Sequence, residues 1–107
     1  MENFVCTPYL AAKAGAAHLV RQVALELAAE NVRVNAMAPG PFLTGIAGGR
    51  MATPAVQSRF AAANPMGRLA APDEIKGLAL YLASPASSYM TGAELAIDGG
   101  GRLGTAD

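Results

Sequence analysis

The sequence has no tryptophan, only three tyrosines and three phenylalanines, and a single cysteine, Cys6, among its 107 residues. One cysteine builds neither an intrachain disulfide framework nor a Cys-rich metal site, which excludes the small disulfide scaffolds and zinc modules and fits a reducing, cytoplasmic setting. Charge is scarce as well. Eight basic and eight acidic residues cancel, and the basic ones, among them Lys13, Arg21, Arg33 and Lys76, form no stripe that could neutralise phosphates, so nucleic acid is not an expected partner. Nowhere do about 18 uninterrupted apolar residues appear, and Met1-Glu2-Asn3-Phe4 does not open an export signal. No membrane association is expected.

What the chain does have is apolar residues, 52% of the total, enough for one globular unit and far from the composition of a disordered protein. From Tyr9 to Glu30 helix formers dominate, with Val20, Val23, Ala24, Leu27 and Ala28 at helical spacing. Carried backward, that face runs through Ala17 or Ala16 to Lys13 and Tyr9, which places both polar residues to end in a cleft. Asn31 is the expected stop, and Val32 to Ala38 reads as a short strand closed by Pro39-Gly40-Pro41.

A long connection follows, to Ala71, with Gly45, Gly48 and Gly49 and a small helix starting near Thr53-Pro54 that carries Val56 and Phe60. Connections of this length are usually lids or binding loops. Pro72-Asp73-Glu74 opens a further helix, because proline suits a first turn and acids favour the positive end of the dipole; Ile75, Leu78, Ala79 and Leu82 form its inner face. Ser84-Pro85 ends it. Ala93 to Asp98 reads as the last strand, stopped by Gly99-Gly100-Gly101. Two strands bridged by a helix make a crossover unit, right-handed in a parallel sheet.

Tyr9 and Lys13 are four apart on one helix, so their side chains are neighbours, and an ammonium beside a phenol favours the phenolate. Such a tyrosine can exchange protons near neutral pH, as a carbonyl/alcohol redox reaction requires. The alternative is an ordinary amphipathic tyrosine beside a solvated lysine. Pro39-Gly40-Pro41 is either a turn that lets backbone approach a ligand or a plain strand end. Met37, Met51, Met66, Phe42, Val56 and Phe60 either line an apolar pocket under the lid or pack ordinarily. His18 reads as a surface or interface histidine and Cys6 as a bland small thiol. Asp98 and its glycines read first as a strand end, with a role near the cleft as the alternative.

Four blocks in register resemble the short-chain dehydrogenase/reductase family across nearly the whole chain. Tyr9-Leu10-Ala11-Ala12-Lys13 is similar to its Tyr-x-x-x-Lys signature, and Asn31 to Gly40 with Thr44 to the next strand and cofactor loop. Asn64-Pro65-Met66-Gly67-Arg68 through Pro72-Asp73-Glu74-Ile75 is similar to the end of its lid, and Tyr89 to Gly92 with Ile97-Asp98-Gly99-Gly100 to its closing strand. The resemblance implies the C-terminal part of a doubly wound parallel-sheet Rossmann fold over residues 1–107. It also implies an NAD- or NADP-dependent oxidoreductase acting on a small carbonyl or alcohol, and commonly a homo-oligomer. It makes Tyr9 the general acid/base and gives Lys13 the ribose hydroxyls. Pro39 and Gly40 would shape the loop against the nicotinamide, with the backbone of Phe42 and the hydroxyl of Thr44 on the carboxamide. No metal is implied.

The chain departs from the family in carrying no Gly-rich phosphate turn and no serine about a dozen residues before Tyr9. Gly45-x-x-Gly48-Gly49 belongs to the lid. The expectation is therefore a C-terminal portion of a chain more than twice as long, without the dinucleotide-binding half, inactive alone and prone to self-association. The other functional reading is a non-catalytic oligomerising or interaction module.

Overall fold

The computed structural model describes residues 2–43 and 53–104, with side chains described from residue 7. The chain runs through α1 (Glu2–Leu27), β1 (Ala36–Pro39), α2 (Pro54–Ala62), α3 (Lys76–Ala83) and β2 (Glu94–Ile97), with short 3-10 turns between them. The strands pair in parallel, Ala36 opposite Glu94 and Pro39 opposite Ile97, so the long connection with α2 and α3 forms the expected crossover. The element order read from the pattern is the observed one.

Helix α1 starts earlier than expected, at Glu2, and runs through Pro8. A proline there removes one backbone donor without ending the helix, because the bonds on either side continue. Its end is as expected: a 3-10 turn over Ala28–Glu30 leads to Asn31 in the left-handed region (φ 61°), a conformation asparagine tolerates better than most residues. Ala17, Val20, Val23, Ala24 and Leu27 form the covered stripe, and Ala24 is the one apolar residue fully buried among the described residues. A Cβ added at Gly92 would sit 3.6 Å from that of Ala24, which locates the neighbour of the stripe.

Strand β1 is shorter than the Val32 to Ala38 reading, and side chains explain the shortfall. The Val34 N–H donates to Thr91 Oγ1, its carbonyl accepts from the Gly92 N–H, and the Asn35 amide accepts from Ala93 N and donates to the Met90 carbonyl. Backbone ladder pairing starts only at Ala36. Arg33 adds a fork to the Leu82, Ser87 and Met90 carbonyls at 2.8–3.2 Å, fastening the end of α3 and the following turn to the approach of β1.

Proline opens α2 at its first position, as read. Pro72–Ile75 is a single 3-10 turn ahead of α3, because the Glu74 carboxylate reaches back to the Ala71 N–H at 2.7 Å while the Glu74 N–H bonds the Ala71 carbonyl. Ile75, Leu78, Ala79 and Leu82 are the half-buried face of that segment, as expected. The chain presents 7860 Å² of accessible surface, against about 5,500 Å² for a compact chain of this length.

Candidate active-site cleft

Tyr9 and Lys13 stand one turn apart on α1, and the Lys13 ammonium lies 5.6 Å from the centre of the Tyr9 ring. The structure thus brings the pair together. It does not place it in a cleft: Tyr9 is 61% exposed, Lys13 is exposed, and neither lines the cavities described below. The stripe of α1 finds packing partners only from Ala17 onward, so the Tyr9 end projects from the packed body. His18 is exposed on the same helix.

Pro39, Gly40 and Pro41 leave the sheet at the carboxyl ends of β1 and β2, the edge where ligands bind in open parallel sheets. They line a cleft of about 350 Å³ together with Phe60, Asn64, Asp98 and Arg102. Gly40 is required by close approach: a Cβ there would lie 2.8 Å from both Cα and Cβ of Asp98, while the Gly40 N–H bonds the Ile97 carbonyl. The turn is continued by a parallel bridge between Phe42 and Ala70. Ala70 donates to the Pro41 carbonyl and accepts from the Leu43 N–H, which leaves Phe42's own N–H and carbonyl out of this ladder and pointing away from Ala70. Thr44, Gly45, Gly48, Gly49 and Met51 lie outside the described residues.

The apolar residues read either as one pocket lining or as ordinary packing are spread apart. Phe60 lines the 350 Å³ cleft, Met66 a neighbouring cavity of about 180 Å³, and Met37 a third of about 340 Å³ shared with Arg33, Asn35 and Leu82. Alternation along β1 turns Met37 away from the face that Ala36 and Ala38 cover, so it cannot join the others.

Asn64, read only as part of the lid-end block, and Asp98, read first as a strand end, form the cleft wall. Asn64 is 6% exposed; its amide donates to the Arg68 carbonyl and accepts from the Gly67 N–H, and its Oδ1 would lie 2.7 Å from a Cβ on Gly99. Asp98, read as a strand end, lines both cavities, its carboxylate accepting from the Gly100 and Arg102 N–H groups. The one local signal was the Asp-Gly-Gly run, whose glycines take φ of 62° and 85°. On the rim, Arg68 grips Glu74 through both oxygens at 2.7 and 2.8 Å. The Arg68 hydrogen bonds, then the Ala71 N–H, hold the Glu74 carboxyl at about 2, below its usual range. The same contact raises Arg68. Among the described residues no three His, Cys, Asp or Glu side chains gather to hold a metal, and no helix is long and apolar enough to cross a membrane.

Residues 3–101 match a family model described as enoyl-(acyl carrier protein) reductase. The chain is 41% identical over 100 residues to the 7alpha-hydroxysteroid dehydrogenase of Escherichia coli K12, covering 94% of this chain and 39% of that protein. It is 44% identical over 93 residues to a sorbose reductase of Candida albicans, covering 87% and 32%. Among solved structures it resembles the Pseudomonas aeruginosa RhlG/NADP active-site complex, with a TM-score of 0.77 and 40% identity over 85% of this chain and 37% of that one. It also resembles 4-hydroxyisoleucine dehydrogenase complexed with NADH, with a TM-score of 0.81 and 29% identity over 91% and 40%. The chain spans at most about two fifths of the length of these relatives.

Proposed function

Because the chain belongs to the short-chain dehydrogenase/reductase family, and has part of that family's parallel α/β fold, we propose that it forms part of an NAD(P)-dependent oxidoreductase interconverting a small carbonyl and an alcohol. The observation that carries this reading is the Lys13 ammonium held 5.6 Å from the Tyr9 ring, on the helix where the family places those two residue types four apart. Tyr9 moves the proton between its hydroxyl and the substrate oxygen, and Lys13 donates to the ribose hydroxyls. Pro39 and Gly40 would shape the loop against the nicotinamide ring, with the outward backbone of Phe42 and the hydroxyl of Thr44 meeting the carboxamide.

The donor types are those that the nicotinamide-riboside part of such a cofactor needs, an ammonium and a hydroxyl one turn apart and a turn whose Phe42 backbone points outward, while Tyr9 and Lys13 line neither cavity beside that turn. When bound, the nicotinamide supplies or accepts the hydride. The pyrophosphate part meets no Gly-rich turn opening a helix among the described residues, since α2 starts on Thr53-Pro54 and α3 follows a 3-10 turn. We therefore expect the 107 residues on their own to lack turnover, because holding the hydride donor in place supplies much of the barrier reduction. A cytoplasmic, homo-oligomeric protein is part of the same reading, supported by the lone Cys6 and the exposed apolar surface.

The test is the complete protein encoded by the reading frame, assayed with NADH and NADPH against a panel of ketones and secondary alcohols. Tyr9→Phe is expected to lower kcat about 10³-fold with little change in thermal stability. A Tyr9→Phe protein that turns over at the wild-type rate would remove Tyr9 from the chemistry.

A second reading, a non-catalytic oligomerising module, is favoured by Leu10, Leu19 and Leu25, all exposed along α1. Sedimentation of the 107-residue chain with and without nucleotide separates the two. Self-association with no nucleotide binding, together with a full-length protein lacking turnover, selects the module.

A further inference from the structure

We propose that Arg68 and Glu74 are positioning residues for the cofactor turn: their two-pronged pair fixes the segment 68–71, so that Ala70 holds Pro41 and Leu43 and turns the Phe42 backbone outward. The inference rests on the functional reading above in one respect only, the identity of what Phe42 faces.

The geometry is a chain of contacts with Ala70 in the middle. Glu74 Oε1 and Oε2 take the two Arg68 Nη groups at 2.7 and 2.8 Å, and Oε2 also accepts from the Ala71 N–H at 2.7 Å. One carboxylate therefore grips the residues on both sides of Leu69-Ala70. From the opposite side the buried Asn64 amide donates to the Arg68 carbonyl at 3.1 Å, so Arg68 is held at its backbone as well as at its guanidinium. Ala70 then spends both its backbone groups on the turn, its N–H on Pro41 and its carbonyl on Leu43 at 3.3 and 2.8 Å. In a parallel bridge of this kind the bonded neighbours dictate the direction of the residue between them, here Phe42. Glu74 also starts the turn into α3, so the cleft rim is referenced to a helix and not to the loop it belongs to. A solvent-facing ion pair adds little to global stability, but a planar, two-pronged one that also binds backbone has a defined geometry, and geometry is what a positioning role needs.

Amide hydrogen exchange read by NMR on the 107-residue chain tests the fastening without any cofactor. Arg68→Ala and Glu74→Gln are expected to speed exchange at the Leu43 and Ala70 amides about fivefold, leaving the Ala36 amide in the strand ladder unchanged. Arg68→Lys, which keeps the charge and loses the fork, is expected to restore only part of the protection, and the exchanged pair Arg68→Glu/Glu74→Arg also only part, because an arginine at position 74 cannot accept from the Ala71 N–H. Unchanged exchange at Leu43 and Ala70, or an equal rise at Ala36, overturns the proposal. In the full-length protein the same variants are expected to raise the KM for nucleotide more than they lower kcat. Localised exchange effects with no change in nucleotide KM would keep the fastening and overturn the assignment of the turn to the cofactor.

Discussion

Along the first half of α1, residues 7–16 are all exposed, whereas the segment from Arg33 to Gly40 is tied to residues 82–98 by a guanidinium fork, an asparagine amide, a threonine hydroxyl and a parallel ladder. The two regions carry the two halves of the proposed site. The turn that ends on Phe42 is assembled by contacts many residues away in sequence, while the Tyr9 and Lys13 pair is assembled within a single helical turn. A helix can bring two side chains together by its own period, but only a neighbour can exclude water from them. The pair is therefore formed, and what covers it decides its chemistry.

Two glycines offer the widest test of that contrast. At Gly40 an added Cβ meets Asp98 at 2.8 Å, and relief would require β1 and β2 to part. At Gly15, within α1, it meets open space. We predict that Gly40→Ala lowers unfolding stability by about 3 kcal/mol, while Gly15→Ala raises helix content and stabilises by about 1 kcal/mol. Urea titration followed by far-UV circular dichroism reads both, and equal effects in either direction would erase the distinction between the regions.

Next in size is the loss of the Arg33 fork. Its guanidinium serves three carbonyls from a half-buried position, so Arg33→Ala is predicted to cost about 2 kcal/mol. Arg33→Lys should recover little of this, because one ammonium cannot reach the same three acceptors with the same planarity. Lys13→Ala, an equally cationic position on the exposed helix, should change stability by less than about 0.5 kcal/mol. The same urea midpoints check the pair. A Lys13→Ala loss matching that of Arg33→Ala would mean that the start of α1 is packed after all.

The contrast also explains what was legible in the residues. Helix faces repeat, so the stripe from Ala17 to Leu27 and the face Ile75, Leu78, Ala79 and Leu82 could be read, as could the Asn31 stop and the Pro54 start. Strand ends could not, because Val34 and Asn35 pair with Thr91, Gly92 and Ala93 largely through side chains, and no local period announces a partner nearly sixty residues away. Asn64 was legible as part of the lid-end block but its place in the cleft wall was not, for the same reason: its burial comes from Gly99 and the Arg68 turn, neither predictable from its own neighbours. The Tyr9-Lys13 contact was legible as spacing, and its exposure was not, because amphipathic spacing specifies a face and says nothing of how far the cover extends.

The smallest predicted effect concerns the rim, where the contacts are local and solvent-facing yet well ordered in geometry. Glu74 is held at about 2 in the folded chain, below its ordinary value of 4.5, so its favourable interaction with Arg68 is complete above the ordinary value and is lost as the pH falls from about 4.5 toward 2. Arg68 stays charged throughout, which leaves an unpaired cation at the acid end. The stability difference between wild type and Glu74→Gln should accordingly be present at pH 7, shrink across that acid window and be reduced by salt, since both side chains are well exposed. Urea midpoints of the two proteins at pH 7, 4 and 2.5 measure it. No difference at any of the three pH values would mean that Glu74 acts through its bond to the Ala71 N–H, which glutamine can also accept, and that the rim is held as the strands are, by backbone pairing and not by charge.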